Sequence, residues 1–247
     1  MKKVLLIMSI LSTLFGCSKK SATLYPQDSI TAADGSKITF TFYAHASFRI
    51  EWNGLNLYID PVGEFDWQSQ PKADAVLVTH SHYDHLELST IEQLQSPTTV
   101  IICDKTSADA FERDCITMLP GATAHPLEGV VVKATAAYNI SEGHTDFHPK
   151  AREDCGYLIT LGGTTIYVAG DTEDNEDVLA VSGVDIAFLP VNQPYTMTVE
   201  QAARVVKTIK PAIFYPYHYG QVEDKTDIEA LKAAVADVTD CRVFPME

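Results

Sequence analysis

The chain has 247 residues, 46% of them hydrophobic and 21% charged, a composition with enough apolar mass for one large core. Its 18 Lys and Arg stand against 33 Asp and Glu, a formal charge of −15 that argues against a broad nucleic-acid face and against a polybasic membrane-surface patch. No apolar run is long enough to cross a bilayer comfortably, so a polytopic membrane protein is excluded.

The chain opens on a positive pair, Lys2 and Lys3, followed by an almost wholly apolar run from Val4 to Phe15 and then Gly16-Cys17. A short apolar run behind basic residues reads as a secretory signal rather than a membrane span. A cysteine directly after a small residue resembles the lipobox of bacterial lipoproteins, in which the signal is cut before the cysteine and the thiol is diacylated. That resemblance implies a signal peptide over residues 1–16, a lipidated Cys17, and a membrane-anchored protein facing the periplasm or cell exterior. Residues 18–36 are polar and poor in large apolar side chains, as a tether would be, which leaves residues 37–247 for the folded domain. Cys103, Cys115, Cys155 and Cys241 form no C-x-x-C pair, so buried free thiols are expected, with up to two disulfides as the alternative.

Strand-like runs follow at Lys37–Tyr43, Ser47–Trp52 and Leu55–Ile59, with Asn53-Gly54 as a two-residue hairpin turn between the last two. Ala75–Val78 is a short apolar strand ending at Thr79-His80. The pattern continues at Thr99–Ile102, Val130–Ala136, Gly156–Leu161, Thr164–Val168, Ile186–Leu189 and Ala212–Tyr215. Between the later strands, Thr198 and Gln201 suit a capping box ahead of Ala202, Val205, Val206 and Ile209, and Pro211 ends the helix. Thr226 with Glu229, and Ser89 with Glu92, suggest the same device for two further helices. No repeat or interdomain linker interrupts this alternation, which predicts a single α/β domain.

The chemistry concentrates in Thr79-His80-Ser81-His82-Tyr83-Asp84-His85, directly after a buried strand. Three of the eight histidines and one carboxylate lie within six residues there, a density that packing alone rarely demands. Neutral imidazoles at pH 7 have free ring nitrogens, and a loop at a strand end can turn near-alternate side chains toward one point, so the cluster reads as metal ligands.

The pattern H-x-H-x-D-H after a strand resembles the signature of the metallo-β-lactamase-fold hydrolases. The rest of the chain matches the remaining ligand positions of that family in order: His148 in Phe147-His148-Pro149-Lys150, Asp171 in Gly170-Asp171-Thr172, and His218 in Tyr217-His218-Tyr219-Gly220. The likeness runs from about Phe42 to Gly220. Within the superfamily, Ala44-His45-Ala46-Ser47, Ile59-Asp60-Pro61, Ala137-Tyr138-Asn139 and Thr196-Met197-Thr198 resemble short motifs of the branch that includes L-ascorbate-6-phosphate lactonase and N-acyl-phosphatidylethanolamine phospholipase D. The family implies a four-layer αββα sandwich with the site at one edge. It also implies two divalent ions, zinc first with manganese or iron as alternatives. His80, His82 and His148 would hold one ion, Asp84, His85 and His218 the other, with Asp171 between them. Such a pair acidifies a bridging water, and Asp84 could pass its proton to the leaving group.

Other residues carry weaker expectations. Asp60 resembles a carboxylate that orients a ligand imidazole, against the alternative of a turn Asp before Pro61. His45 resembles a site-proximal histidine, and Tyr138, Asn139, Tyr195 and Tyr219 are candidates to line a pocket or simply to pack near strand ends. Phe65 and Trp67 either rim that pocket or anchor their own loop. His144 competes with His148, which is preferred on its Pro-Lys neighbours, and His125 is expected at the surface. The implied activity is exported hydrolysis of a small-molecule or lipid-like lactone, ester or phosphodiester. The alternatives are a β-lactamase-like amide hydrolase and a non-catalytic metal- or ligand-binding lipoprotein on the same fold. Nothing in the sequence sets an oligomeric state.

Overall fold

A computed structural model describes residues 25–220 and 225–246. The signal reading over residues 1–16, the lipidated Cys17 and the first part of the tether lie outside these residues.

The first sheet takes strands β1 (Gln27–Thr31), β2 (Lys37–Ala44), β3 (Ser47–Trp52), β4 (Leu55–Ile59), β5 (Ala75–Val78), β6 (Val100–Asp104) and β7 (Ile116–Met118), hydrogen-bonded in that order. Strands β1 to β4 pair antiparallel, and β4 to β7 pair parallel. The second sheet repeats the plan with β8 (Thr123–Leu127), β9 (Val130–Ala136), β10 (Cys155–Leu161), β11 (Thr164–Val168), β12 (Ile186–Pro190), β13 (Ile213–Tyr217) and β14 (Asp240–Cys241). Here β8 to β11 are antiparallel and β11 to β14 parallel. Helix α1 (Leu88–Leu94) lies between β5 and β6 in the chain, α2 (Lys105–Ala108) after β6, α3 (Glu176–Leu179) before β12, α4 (Val199–Ile209) before β13 and α5 (Ile228–Val235) before β14.

Alternation along the strands builds the layers. Ile38, Phe40 and Phe42 of β2, Phe48 and Ile50 of β3, Tyr157, Ile159 and Leu161 of β10 and Phe188 of β12 are fully buried in one cluster between the sheets. The rings of Phe48 and Phe188 stack across that space with centroids 4.3 Å apart. The opposite faces are covered by helices. Ile91 and Leu94 of α1 pack with Val76, Val78 and Ile101 outside the first sheet. Ala202, Val205, Val206 and Ile209 of α4 and Leu231 and Val235 of α5 pack with Ala187, Leu189 and Phe214 outside the second. The molecule is thus the four-layer αββα sandwich.

Local chemistry explains most boundaries. Asn53 and Gly54 sit at φ 49° and 81°, the double positive φ of a type I′ hairpin. Helix α4 begins in a full capping box between Thr198 and Gln201, and Lys210 closes it in the left-handed region.

Several expectations are corrected. Residues 27–31 of the expected tether form β1, paired from Gln27↔Thr41 to Thr31↔Lys37. Its mainly exposed, polar residues suit an edge strand, which is why the sequence looked unstructured. Asp28 then ties the sheets together, accepting from Tyr215 Oη at 2.7 Å and Arg242 Nη1 at 2.9 Å. Helix α5 is capped by Asp227, which accepts from Ala230 N at 2.9 Å, while the Thr226 hydroxyl donates to Val191 O instead. The Ser89–Glu92 box does not form. Glu87 holds the N-cap of α1, and its carboxylate accepts from Ser89, Thr90 and the Gly63 amide. Trp67 is buried against Tyr43, with ring centroids 4.5 Å apart, and Phe65 packs beside it, so both anchor their loop. The four described cysteines are free thiols, with Cys103 Sγ and Cys115 Sγ 3.4 Å apart.

Candidate metal centre

Most candidate ligands gather at the carboxyl ends of interior strands with parallel neighbours, β5, β11 and β13, where an open sheet leaves a crevice. The loop after β5 delivers His80, His82, Asp84 and His85 together. Asp171 follows β11 by way of Ala169 and Gly170, and His218 follows β13 directly. Gly170 is required: at φ 67° a Cβ there would come within 2.8 Å of Cys155 O. His148 comes from the long loop between β9 and β10.

That loop is clamped from below. The buried Glu173 carboxylate accepts from the Ile140 and Ser141 amides, each at 2.7 Å, and Asn175 Nδ2 donates to Tyr138 O at 2.8 Å. Burial opposes the charge of Glu173, but those backbone donors hold its carboxyl below the usual range. Asn139 donates through its backbone N to His148 O at 2.8 Å and through Nδ2 to Tyr195 O at 2.7 Å. Asn139 therefore positions the loop and does not line the cleft.

Two sets of donor atoms result. His80, His82 and His148 converge in one; Asp84, His85 and His218 converge in the other, with His45 alongside; and Asp171 groups with His80 and His85. Asp171 faces both sets: Oδ1 lies 3.3 Å from His85 Nε2, and Oδ2 lies 3.2 Å from His218 Nε2, 3.4 Å from His148 Nε2 and 3.9 Å from His80 Nε2. Between the two candidates on the loop, His148 joins the set. His144 instead lies 3.4 Å from Glu173 Oε1. His125 is exposed on the surface.

The donor set fits metal ions. Buried His85 Nε2, His218 Nε2 and Asp171 Oδ1 have no hydrogen-bond partner, and His80 Nε2 points at His82 Nδ1 from 3.0 Å. Buried polar atoms left unpaired are costly, and a divalent ion in each set would satisfy them. Outer partners fix the rings in the matching orientation. Asp60 Oδ2 lies 2.8 Å from His85 Nδ1, and its carboxylate also accepts from Thr79 N at 2.8 Å and Thr79 Oγ1 at 2.7 Å. Thr79 Oγ1 lies 3.0 Å from His80 Nδ1, and Asn192 Nδ2 lies 3.3 Å from His218 Nδ1. Asp154 Oδ2 lies 3.6 Å from His148 Nδ1, an ion-pair distance without a hydrogen bond, so that ring is not fixed in the same way.

Backbone strain accumulates here. His45, Asp60 and His218 hold φ values of 55°, 40° and 50°, in the left-handed region that non-glycine residues seldom enter. His218 N donates to His45 O at 2.9 Å, and the two rings lie 3.7 Å apart. His45 Nε2 in turn reaches Asp84 Oδ2 at 3.1 Å. Burial first, then the neighbouring His218, lowers the imidazole of His45 to about 4, so it stays neutral. Burial and the adjacent His85 likewise hold His80 far below its ordinary value. Burial works against ionisation of Asp171, yet His218 and His85 keep its carboxyl well below the usual range.

Above the ligands opens a cleft of about 490 Å³ lined also by Tyr83, Asp146, Phe147, Asn192 and Tyr195. Tyr195 is thus at the cleft, whereas two other tyrosines are not. Tyr138 donates to Asp177 Oδ2 at 2.9 Å on another part of the surface, and Tyr219 is buried with its hydroxyl on Phe244 O. Phe147, Asp146, Asn192, Asp154 and Glu173 were not singled out by residue-level reasoning. Phe147 had a usable signal as the neighbour of His148, and the others had none, because their partners are remote in sequence.

Comparison with known proteins agrees with this geometry. Residues 39–218 match the model of the β-lactamase superfamily domain. A UPF0173 metal-dependent hydrolase of Thermoplasma acidophilum is 36% identical over 180 residues, covering 70% of this chain and 78% of the relative. Another from Pyrococcus furiosus is 33% identical over 196 residues, covering 74% and 84%. A crystal structure described as a metal-dependent hydrolase from Parabacteroides distasonis superposes with a TM-score of 0.84 at 37% identity, covering 90% of this chain and all of that one. Fold, ligand geometry and these likenesses lead to one conclusion: the chain belongs to the β-lactamase superfamily, among the UPF0173 metal-dependent hydrolases.

Proposed function

We propose that the protein is an exported two-metal hydrolase of a lactone or ester, with a phosphodiester as the rival bond. One observation carries the reading: two converging donor sets share Asp171 beneath an open cleft, and key donor atoms there make no hydrogen bond, meeting only one another. When bound, two divalent ions, zinc first and manganese or iron next, would supply an acidified water as nucleophile and positive charge against the attacked oxygen.

The side chains do the rest. His80, His82 and His148 hold one position and Asp84, His85 and His218 the other, with Asp171 coupling them. Asp84 is the proton carrier. Its side chain is 28% exposed at the cleft, with Oδ2 3.1 Å from His45 Nε2 and 3.7 Å from His218 Nε2. Burial raises its carboxyl, but His218 and His45 outweigh that and hold it well below the usual range. An ionised carboxylate so placed can take a proton from water and hand it to the leaving oxygen. The motifs around Ala44–Ser47, Ile59–Pro61, Ala137–Asn139 and Thr196–Thr198, similar to the lactonase and phospholipase D branch, support the choice of bonds. Lys2, Lys3, the apolar run and Gly16-Cys17 support export and a diacyl anchor, two chains being needed for firm attachment.

Elemental analysis of gently purified protein, together with turnover of lactone, ester, amide and phosphodiester substrates, tests the reading. Close to two ions per chain and turnover of a lactone or ester are expected. Full activity in metal-stripped protein, or cleavage of amides alone, contradicts it. For the anchor, radioactive fatty acid should label the wild type in membranes and not Cys17→Ser; equal labelling would remove it.

A further inference from the structure

The cleft over the donor sets is lined in a way that discriminates against charge. Beyond the ligands and His45, its walls are Tyr83, Asp146, Phe147, Asn192 and Tyr195, with no Lys or Arg among the described lining residues. The two cations that follow His148 in the sequence are engaged behind the walls and do not line the cleft, although Arg152 Nη2 reaches Ser81 Oγ at 3.3 Å between His80 and His82. Lys150 Nζ donates to Tyr138 Oη at 3.0 Å and to Asp177 Oδ2 at 3.3 Å. Arg152 Nε donates to the two oxygens of Asp154 at 3.2 and 3.0 Å. A phosphate or carboxylate on a substrate is ordinarily met by such forks and ammonium groups. Away from the donor sets this cleft offers none, and it sets the exposed carboxylate of Asp146 at its wall. The chain as a whole carries −15, so its field does not draw anions in either.

The same walls suit a flat apolar group. Phe147 and Tyr195 meet edge to face with centroids 4.9 Å apart and planes at 71°. Both are held by their backbones, Phe147 N donating to His144 O at 3.1 Å and Tyr195 O accepting from Asn139 Nδ2 at 2.7 Å. Tyr195 is 38% exposed and Tyr83 is 89% exposed, an unusual display for large rings beside a buried polar site.

Resting on the hydrolase reading above, we propose that this cleft selects uncharged substrates bearing an aromatic or other flat apolar acyl group, seated against Phe147 and Tyr195. Substrates that carry a carboxylate or phosphate away from the bond to be broken are disfavoured. Metal ions would act on one oxygen of every substrate alike, so the choice among substrates falls to the walls.

Isothermal calorimetry on zinc-loaded protein tests this with two probes that share a metal-binding head, phenylacetohydroxamic acid and the monohydroxamate of succinic acid. The aromatic probe should bind at least about tenfold more tightly. In the Phe147→Ala/Tyr195→Ala double variant, the two affinities should come within about threefold of one another. In Asp146→Asn, the carboxylate probe should gain affinity while the aromatic probe holds. A carboxylate probe that binds as well as the aromatic one, or an aromatic preference that survives loss of both rings, overturns the proposal. Zinc content measured on the same samples separates the two readings. Protein that takes up no zinc contradicts the hydrolase reading and the selectivity that rests on it, whereas protein that holds zinc but shows the wrong probe order contradicts the selectivity alone.

Discussion

The two sheets follow one plan, antiparallel hairpins and then parallel crossovers, yet they furnish the site differently. The first sheet delivers four candidate ligands from one loop after β5, and its His80 and His85 rings are set by Thr79 and by one buried carboxylate, Asp60. The second delivers single candidates from separate places: His148 from a clamped loop, Asp171 after β11 and His218 after β13. In the first half the geometry is local, so a ligand there can be lost with the sheet intact. In the second half the geometry is a product of the fold, so ligand and packing are coupled.

The largest effect expected from this contrast comes at the shared ligand. Asp171→Ala should lower turnover by about a thousandfold or more and reduce metal content in both sets, because its two oxygens face both. His82→Ala should empty one set only and leave the melting temperature of the metal-free protein near wild type. Equal metal loss in both variants, measured by elemental analysis, would erase the distinction between the halves.

Asp84→Asn removes a charge and keeps the shape. Turnover should fall by about a hundredfold or more while melting changes little, since the side chain opens onto the cleft. Retained activity with collapsed melting would make Asp84 a structural residue. Asp60→Asn acts one step back, through His85, and should weaken metal binding by about ten- to a hundredfold in a chelator titration. An unchanged affinity would show that the ring of His85 is set without it.

The division between local and distributed geometry also explains what the sequence could tell. H-x-H-x-D-H was legible because its chemistry is contiguous, and the hairpin at Asn53-Gly54 and the capping box of Thr198 were legible because their rules span a few residues. Strands β1, β7, β8 and β14 were missed because they are short or carry polar edge residues with no clean alternation. For Tyr138 and Tyr219 the sequence left pocket lining and packing both open, and packing holds: their hydroxyls are claimed by Asp177 and Phe244, partners 39 and 25 positions away. The clamp of Glu173 on Ile140 and Ser141 was equally invisible, since it exists only once β11 and the His148 loop are adjacent.

A smaller effect concerns pH. Burial opposes protonation of His218, but Asp171 and Asp84 raise it to about 9 in the metal-free protein. Its contribution to the metal-free fold is present below the ordinary value of 6.5 and is lost as the pH rises through about 9. A metal must displace that proton, so uptake should release protons, and apparent affinity should climb about tenfold per pH unit for each one displaced until that range is passed. Calorimetry in buffers of different ionisation enthalpy measures the release, and a value of zero would contradict the pairing. The smallest expected effect is a control in the outer layer. Asp227→Ala should cost about 1 kcal/mol in denaturant unfolding and leave turnover unchanged, because its exposed side chain accepts from Ala230 N at the start of α5, away from both donor sets.

Anomalous diffraction from crystals of the metal-loaded protein tests the central claim most directly. Two peaks are expected, one among His80, His82 and His148 and the other among Asp84, His85 and His218, with Asp171 reaching both. A single peak, or a second one away from Asp171, would contradict the shared two-metal site.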